Sequence, residues 1–202
     1  MASRWNRVRG VAVTAYAAVR EPLTVPDPFA DVQRATRLHR RRHRCGAYAY
    51  ADGALPATVA AAVGARRIVE VGTALGYTAL SMAHAVPGAR VDTIEADPDH
   101  VRLARGETDR YDCGARIEVL PGRAEQILPT LEAGAYDLAL FDGFTPTLPL
   151  VHALGRLLRV GGTLLVGNLV LGPPAEVTDH LADPVHWRTC PLGETAWCVR
   201  QS

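Results

Sequence analysis

Acidic residues and glycines at the ends of two strand-like segments have the types and spacing expected for cofactor binding. The segment VEVGTALGYTAL (69–80) places Glu70 in an apolar run, followed by Gly72 and Gly76 before a helical pattern begins. Glycines in a turn between a strand and a helix allow the backbone to approach a ligand closely. Glu95 ends the next strand-like run, 23 residues after Gly72, where a carboxylate can accept hydrogen bonds from both ribose hydroxyls. Together these residues predict a nucleoside cofactor.

Two common phosphate-binding motifs are missing from this turn. A dinucleotide fingerprint needs a glycine where the chain has Ala74, and a P-loop needs a lysine, which the chain lacks altogether. The lack of lysine also excludes a lysine base or Schiff base. The turn therefore suits a ligand with a cationic end better than a pyrophosphate. An alternative interpretation has Glu95 and Asp97 both capping the helix that starts at Pro98, which suits Asp97 but leaves Glu95 unexplained.

The order of the segments predicts the architecture that must position these residues. Strand-like and helix-like segments alternate from Leu55 onward, which predicts a central parallel sheet with helices on both faces. Ligands bind such sheets at the carboxyl ends of the strands, where the strand order reverses. We expect a single domain, 1–202, that begins with an N-terminal helical segment, 1–54. The predicted strands are 67–71, 89–95, 115–120, 136–141 and 162–167 with a hairpin around 191–194, and the predicted helices are 4–20, 29–44, 77–85, 98–111, 123–132 and 147–159.

Charge is segregated along the chain. The 202 residues are 48% hydrophobic, and 22 basic residues nearly balance 21 acidic ones, but ten arginines lie in residues 1–45. The run LHRRRHR (38–44) resembles a nucleic-acid patch, although a solvated helix face is the commoner cause of such a run. No apolar run reaches the roughly 18 residues of a membrane span, so no membrane contact is predicted.

The cysteines give no sequence pattern typical of a metal site. They form neither a CxxC motif nor a Cys/His cluster in the sequence, which predicts neither a zinc site nor a disulfide framework. A reducing cytoplasmic location is the simpler expectation. The four cysteines are Cys45, Cys113, Cys190 and Cys198.

Three stretches of the chain carry a family resemblance. The segments VEVGTALGYTALSMAHAVPGARVDTIEADPDHVRLAR, YDLALFDG and LLRVGGTLLVGNLV resemble the class I S-adenosylmethionine-dependent O-methyltransferases of the catechol and caffeoyl-CoA type, over about residues 53–200. The resemblance implies a Rossmann-like α/β fold with a seven-stranded sheet, mostly parallel, whose last strand is antiparallel. It also implies S-adenosyl-L-methionine as cofactor and a small-molecule methyl acceptor, with the segment 1–54 covering the substrate side.

The resemblance also implies the cofactor contacts. It places Glu70, Gly72 and Gly76 at the methionine end, a hydroxyl at Thr78 near the cofactor carboxylate, and Glu95 on the ribose. The segment GRAE puts Ala124 beside the adenine. The complete implied set is Glu70, Gly72, Thr73, Gly76, Tyr77, Thr78, Glu95, Ala96, Gly122, Arg123, Ala124 and Asp142.

The metal-binding part of the family pattern is incomplete. Asp142 and Asn168 match two family ligands, but Gly167 stands where the family has Asp, and Thr145 where it has Lys. A hard divalent ion prefers several oxygen ligands with carboxylates among them, so Asp142 and Asn168 alone would make a poor site. We therefore predict a vestigial metal site and methyl transfer without a divalent ion.

Without that ion, another group must act on the acceptor. Asp142 is the predicted residue for orienting acceptor or cofactor, and His152 is a candidate base by residue type, although a surface histidine is the commoner case. His39 and His43 are weaker candidates of the same kind. Because a sulfonium is already an activated methyl donor, aligning the acceptor behind the methyl group can supply much of the acceleration.

Three functions stay open from the sequence. The leading hypothesis is O-methylation of a small molecule. The arginine-rich segment motivates RNA methylation, but aromatic residues make up only 6% of the chain, which argues against a nucleic-acid acceptor. The third is a cofactor-binding protein of the same fold with lost or altered transfer activity. A homodimer is also open, since the family often dimerises.

Overall fold

The computed structural model describes residues 25–50 and 53–202. The predicted helix at 4–20 therefore lies outside the described residues. In the described part of the chain, no helix is both long and apolar enough to cross a membrane. The α-helices of this part are α1 Ala30–His43, α2 Ala54–Ala62, α3 Tyr77–Ala85, α4 Pro98–Thr108, α5 Ala124–Ile127, α6 Leu148–Leu157 and α7 Ala175–Ala182.

Seven strands form one sheet, which confirms the predicted fold class. The spatial order is β3-β2-β1-β4-β5-β7-β6. β7 pairs antiparallel with both of its neighbours, and the pairs from β3 to β5 are all parallel. The predicted C-terminal hairpin is β6 and β7, at one edge. The strands are β1 Arg67–Val71, β2 Arg90–Glu95, β3 Ile117–Pro121, β4 Tyr136–Phe141, β5 Leu158–Val166, β6 Trp187–Leu192 and β7 Thr195–Arg200.

Alternation along the central strands divides the core between the two faces of the sheet. In β1, Ile68 joins the cluster that packs against α1, α2 and α3, whereas Val69 joins the cluster that packs against α6 and α7. In β4, Leu138 and Ala139 divide in the same way. Because both faces are covered, these strands read as continuous apolar runs rather than as alternating ones.

Several element boundaries differ from the sequence expectations. The predicted helix 123–132 is the short helix α5 followed by a 3-10 turn, Leu128–Thr130, in which Pro129 has no N–H to continue an α-helix. The helix predicted to end at 159 ends at Leu157, and β5 starts directly afterwards, although regular pairing with β4 begins only at Thr163. The sequence reading did not find α7.

Backbone hydrogen bonds join the loops at the carboxyl end of the sheet, where the strand order reverses. Gly72 N donates to Ile94 O at 3.0 Å, Asp142 N donates to Val71 O at 2.9 Å, and Gly167 N donates to Phe141 O at 2.9 Å. The first residues after β1, β4 and β5 therefore continue the sheet by one step. A ligand cleft is expected at this position in open α/β sheets.

Gly72 is required by the close approach of two of these loops. It has φ +101°, and a Cβ there would lie 2.6 Å from Asp142 O and 2.8 Å from Asp142 C. Both atoms belong to backbone, so they cannot rotate away. The glycine after β1 is therefore explained by packing against the loop after β4, independently of any ligand.

We expect Gly72→Ala to destabilise the fold far more than Gly88→Ala. Both glycines have similar φ values, +101° and +91°, but an added Cβ at Gly88 meets nothing within 4 Å. Strain from the φ angle costs about 1–3 kcal/mol in either variant, and overpacking adds about 1–3 kcal/mol only at Gly72. Urea unfolding of the two variants measures the difference. Equal losses would show that the contact with Asp142 is not a constraint.

Candidate active site

A cavity of about 410 Å³ opens at the carboxyl ends of the strands. It lies where the loops after β1, β2, β4 and β5 meet the loop after α1 and the β6–β7 turn. Its polar walls include three carboxylates, and its outer part is aromatic and aliphatic. The lining residues are Gly46, Tyr48, Ala49, Tyr50, Gly72, Ala74, Glu95, Asp142, Gly143, Phe144, Asn168, Val170, Leu171 and Glu194.

The turn after β1 has a glycine-like conformation at three positions. Gly72, Ala74 and Gly76 have φ values of +101°, +48° and +93°. Ala74, which breaks the dinucleotide fingerprint, thus still adopts the left-handed conformation that a glycine would take. Its N–H donates to Glu95 Oε2 at 2.9 Å, and this bond ties the turn to the tip of β2.

Glu95 is held in place by backbone donors and faces the cavity. Its Oε2 accepts from Ala74 N and its Oε1 accepts from Asp97 N, both at 2.9 Å. A carboxylate has about four lone-pair positions, so two further hydrogen bonds can form at this group. Asp97, not Glu95, caps the N-terminus of α4. Its Oδ1 accepts from Asp99 N at 2.8 Å and from His100 N at 3.3 Å. Capping at Asp97, as predicted, therefore leaves Glu95 available for a ligand.

Glu70 is fully buried beneath the turn and does not line the cavity. One carboxylate oxygen accepts from the Thr78 hydroxyl and the other accepts from Thr93 Oγ1 at 2.6 Å. Thr93 Oγ1 also lies 2.6 Å from Thr73 Oγ1, which extends the buried network under the turn. Burial raises the pKa of Glu70 to about 7, although both threonine hydrogen bonds oppose the rise. The predicted residues Glu70, Thr73 and Thr78 thus form one hydrogen-bonded group that supports the turn.

Tyr77, also predicted as a cofactor residue, points toward the N-terminal part of the described chain. Its hydroxyl donates to Asp27 Oδ2 at 2.8 Å and accepts from Gly53 N at 3.2 Å. The side chain is buried and is absent from the cavity lining. This position favours a role in anchoring the segment before α1, and a cofactor contact of Tyr77 stays a prediction.

The predicted adenine-side residues flank Glu95 without lining the cavity. Gly122 N donates to Glu95 O at 2.8 Å, so the turn after β3 is joined to the tip of β2. Ala96 and Arg123 are exposed, and Ala124 is half-buried at the start of α5. Their places at neighbouring strand ends are compatible with an adenine between them, and their contacts stay predictions.

Asp142 lies where the polar wall of the cavity, formed by Glu95 and the turn after β1, meets its apolar outer wall. It is half-buried at the tip of β4, beside Gly72 and Gly143. Burial raises the pKa of Asp142 well above its usual range, and the carboxylates of Glu70 and Glu194 raise it further, against a hydrogen bond from Asn168. A cation bound near Asp142 would relieve this electrostatic cost.

Comparison with known proteins identifies the fold and the family together. A family model described as O-methyltransferase matches residues 39–185. The chain belongs to the O-methyltransferase family. That match includes the turn after β1, Glu95, Asp142 and Asn168, and it covers every residue that lines the cavity except Glu194.

Individual O-methyltransferases are similar to this chain in sequence or in fold. A catechol O-methyltransferase of Mycobacterium tuberculosis is 35% identical over 116 residues, which cover 56% of this chain and 53% of that protein. The matches to the first curated relatives span 53–65% of those relatives' lengths.

Two solved structures of O-methyltransferases share the fold of this chain. The O-methyltransferase TomG of Streptomyces achromogenes, in complex with SAM, has 24% identity, a TM-score of 0.77 and coverage of 95% and 96%. The Bacillus cereus O-methyltransferase, in complex with SAH, has 20% identity, a TM-score of 0.71 and coverage of 94% and 97%.

The divalent-metal position of the family pattern does not fit a hard cation in this chain. Asn168 Nδ2 donates to Gly143 O at 2.7 Å and lies 3.4 Å from Asp142 Oδ1, so the amide presents its N–H group to the carboxylate. In the described part of the chain, no group of three His, Cys, Asp or Glu side chains that could hold a metal includes Asp142. One carboxylate and one amide leave most coordination positions of such an ion unfilled.

The ring of Tyr50 occupies the space beside the missing family carboxylate. A Cβ added at Gly167 would lie 3.2 Å from Tyr50 Cε2 and 3.2 Å from Phe141 O. The Tyr50 hydroxyl forms a hydrogen bond with the Thr195 hydroxyl at the start of β7, and Gln33 Nε2 donates to Tyr50 O at 3.0 Å. Gly167, where the resemblance implies an Asp, thus has an anchored aromatic side chain beside it.

His152 is not placed to act as the base, and this corrects the sequence interpretation. It lies on the exposed side of α6, and its ring packs at 4.5 Å against His180 of α7, away from the cavity lining. The residue follows Asp142 by only ten positions, but α6 turns it toward α7. His39 and His43 are also outside the lining, stacked on each other with ring centroids 4.4 Å apart.

Sequence reasoning missed the outer wall of the cavity. Phe144, Val170 and Leu171 are large apolar side chains with high exposure, and Tyr48 is 56% exposed. Glu194 reaches the cavity from the β6–β7 turn, which the sequence analysis treated only as a hairpin connection. Apolar residues in the loops that follow the strands could indicate such a wall only once the order of the strands was known.

We expect Glu70 to make the fold less stable as the pH rises. Its pKa is raised from 4.5 to about 7 in the folded chain, so the folded state binds more protons than the unfolded state between these values. The stabilisation is fully present below pH 4.5 and is lost as the pH rises through about 7. Glu70→Gln should reduce the pH dependence of the unfolding free energy in urea between pH 4.5 and about 7. The exposed Glu132→Gln is the matched control, and equal slopes in both variants would contradict the assignment.

We expect Gly167→Ala to cost about 1–3 kcal/mol of unfolding free energy, because the new methyl group meets the Tyr50 ring. In a Tyr50→Ala background the cost should fall, since the ring is gone. In a Tyr50→Phe background it should stay, since the ring remains. Chemical unfolding of these double-mutant cycles gives the coupling directly. The same cost in all three backgrounds would show that Tyr50 does not fill this space.

Proposed function

We propose that this chain is an S-adenosylmethionine-dependent methyltransferase that methylates a hydroxyl of a small molecule without a divalent ion at Asp142 and Asn168. The observation that carries the proposal is one continuous cavity, in which a cofactor-side wall meets an apolar acceptor-side wall at Asp142. The family match supports the reaction class. The activity is proposed for the whole chain, although the curated relatives are matched over only part of their lengths.

The cofactor-side wall fits a nucleoside with a cationic end. Among the described residues that line the cavity, three are carboxylates and none is basic. Glu95 has lone pairs left for two ribose hydroxyls, and the turn at Gly72 and Ala74 brings the backbone close to the ligand. TomG and the Bacillus cereus protein, which share this fold, carry SAM and SAH in their structures. The cavity volume, about 410 Å³, is within the usual range of small-molecule sites.

Asp142 and Glu194 are the groups that can accept a proton from the acceptor hydroxyl. Bound S-adenosylmethionine would supply a methyl group activated by its sulfonium. In such a complex, Asp142 would orient the acceptor hydroxyl toward the methyl group and would take up the hydroxyl proton on a carboxylate oxygen as the acceptor oxygen replaces the sulfur on the methyl carbon. The raised pKa of Asp142 makes it a stronger base than an ordinary aspartate.

The acceptor-side wall favours an acceptor with an apolar or aromatic body. Tyr48, Phe144, Val170 and Leu171 present apolar surface to the cavity, and such surface binds ligand groups that water solvates poorly. A metal ion would hold two neighbouring oxygens of the acceptor. Because this chain positions the acceptor with side chains alone, one hydroxyl on the acceptor is sufficient.

The other two functions differ from this one in measurable ways. A cofactor-binding protein without transfer activity would bind S-adenosylmethionine but would not methylate any acceptor. An RNA methyltransferase would retain RNA that salt releases, since phosphate contacts are salt-dependent. Neither is favoured by a described side chain of the cavity.

We expect Glu95→Gln to weaken S-adenosylmethionine binding by about tenfold or more. A hydrogen bond to a charged group contributes about 1.5–3 kcal/mol, and about 1.4 kcal/mol corresponds to tenfold in affinity. Calorimetry on the two proteins measures the ratio, with the exposed Glu176→Gln of α7 as the matched control. Thermal melting must show that both variants stay folded. Failure of the unaltered chain to bind S-adenosylmethionine would overturn the cofactor proposal.

We expect methyl transfer to a panel of phenols to be independent of added Mg²⁺. Monohydroxylated acceptors should be methylated as readily as neighbouring diols, because no ion has to bridge two oxygens. Product formation is followed by mass spectrometry with and without millimolar Mg²⁺. A strict need for Mg²⁺, together with a preference for diols, would show that Asp142 and Asn168 do hold an ion.

A further inference from the structure

Two histidines and a cysteine from distant parts of the chain converge beside α4. The potential ligand atoms of His39, Cys45 and His100 all lie within 4.8 Å of one another. His39 belongs to the last part of α1, Cys45 follows that helix, and His100 is in the first turn of α4. In the part of the chain that the structure describes, no other three metal-binding side chains come together in this way. The sequence pattern does not reveal this cluster, because His100 is 55 residues from Cys45 along the chain.

The chemistry of these donors selects a borderline or soft divalent ion. Imidazole nitrogen and thiolate sulfur are typical zinc ligands, whereas Mg²⁺ and Ca²⁺ prefer oxygen. In a tetrahedral zinc site, bonds of about 2.0–2.3 Å bring neighbouring donors to about 3.3–3.8 Å. The present separations, up to 4.8 Å, require side-chain movements of about 1 Å to reach that geometry. Three protein donors leave a fourth position for water.

Two carboxylates lie where they can orient the most buried ligand. His100 is only 4% exposed, its Nδ1 lies 3.7 Å from Glu95 Oε1, and its Nε2 lies 3.9 Å from Asp97 Oδ2. If either nitrogen bound an ion, a carboxylate would remain near the other one. Histidine ligands usually donate their second N–H to such a group, which fixes the ring and increases its basicity.

An ion bound by this cluster would affect the cavity wall, because Cys45 directly precedes the segment that forms it. The residues of this segment that form the wall on this side are Gly46, Tyr48, Ala49 and Tyr50. An ion shared by α1, Cys45 and α4 would join this wall to the helix that follows Glu95. It would therefore fix the wall over the cavity.

We propose that His39, Cys45 and His100 form a zinc site that clips the end of α1 and the segment 46–50 to the start of α4. The site is separate from Asp142 and Asn168, and its ion takes no part in methyl transfer. Its role in holding the cavity wall rests on the proposed function, but binding of the ion itself does not.

Zinc titration of the purified full chain, without cofactor, tests the site. We expect one equivalent of Zn²⁺ to bind in competition with a chromogenic chelator, and Mg²⁺ not to displace it. Cys45→Ser and His39→Ala should each weaken binding by more than the roughly tenfold to hundredfold that loss of an outer partner costs. Cys190→Ser is the matched control, because Cys190 is an exposed free cysteine outside the cluster.

Alkylation supplies a second measurement that needs neither activity nor cofactor. Zn²⁺ should slow alkylation of Cys45 and leave that of Cys190 unchanged in the same sample, as read by peptide mass spectrometry. Co²⁺ should give a thiolate charge-transfer band that disappears in Cys45→Ser. Absence of Zn²⁺ binding in the unaltered chain, or binding that Cys45→Ser and His39→Ala leave intact, would overturn the proposal. Because these assays omit S-adenosylmethionine, their failure is distinct from failure of the proposed function.

Discussion

The close approach of the loops after β1 and β4 is the constraint on which the candidate site depends. Asp142 N donates to Val71 O, and the absence of a Cβ at Gly72 lets the two backbones meet. This contact sets the distance between the turn after β1 and Asp142, the residue where the polar and apolar walls of the cavity meet. Any larger residue at Gly72 would separate the two walls, so one glycine defines the geometry of both.

Carboxylates lie where the loops after β1 and β4 meet, and their charges favour a cation at this position. Burial is the main cause of the raised pKa values of Glu70 and Asp142. Repulsion by Glu95 adds to the rise at Glu70, and repulsion by Glu70 and Glu194 adds to the rise at Asp142. In the absence of a ligand, the rest of the folded structure must offset the free energy lost by burying these carboxylates. A sulfonium or ammonium group at the site favours the ionised carboxylates and thus recovers part of that free energy.

The segment before α2 contributes to the site through tertiary contacts. Tyr77 of α3 donates to Asp27, Tyr111 donates to Asp31 at 2.7 Å, and Gln33 holds the backbone of Tyr50. These bonds dock α1 and the following loop on the body of the sheet. In this way the ring of Tyr50 is held beside Gly167, so that the segment after α1 contacts the loop after β5.

The sequence by itself determined the strand and helix alternation, the turn at Gly72 and Gly76, the carboxylate at Glu95 and the departure at Gly167, because each depends on local pattern or residue type. Only the tertiary structure decided which distant side chains meet. It placed Tyr50 beside Gly167 and next to Thr195, which is 145 residues away along the chain, and it turned His152 toward α7. Such contacts depend on the order of the strands and the paths of the loops, which bring together residues that no local periodicity relates.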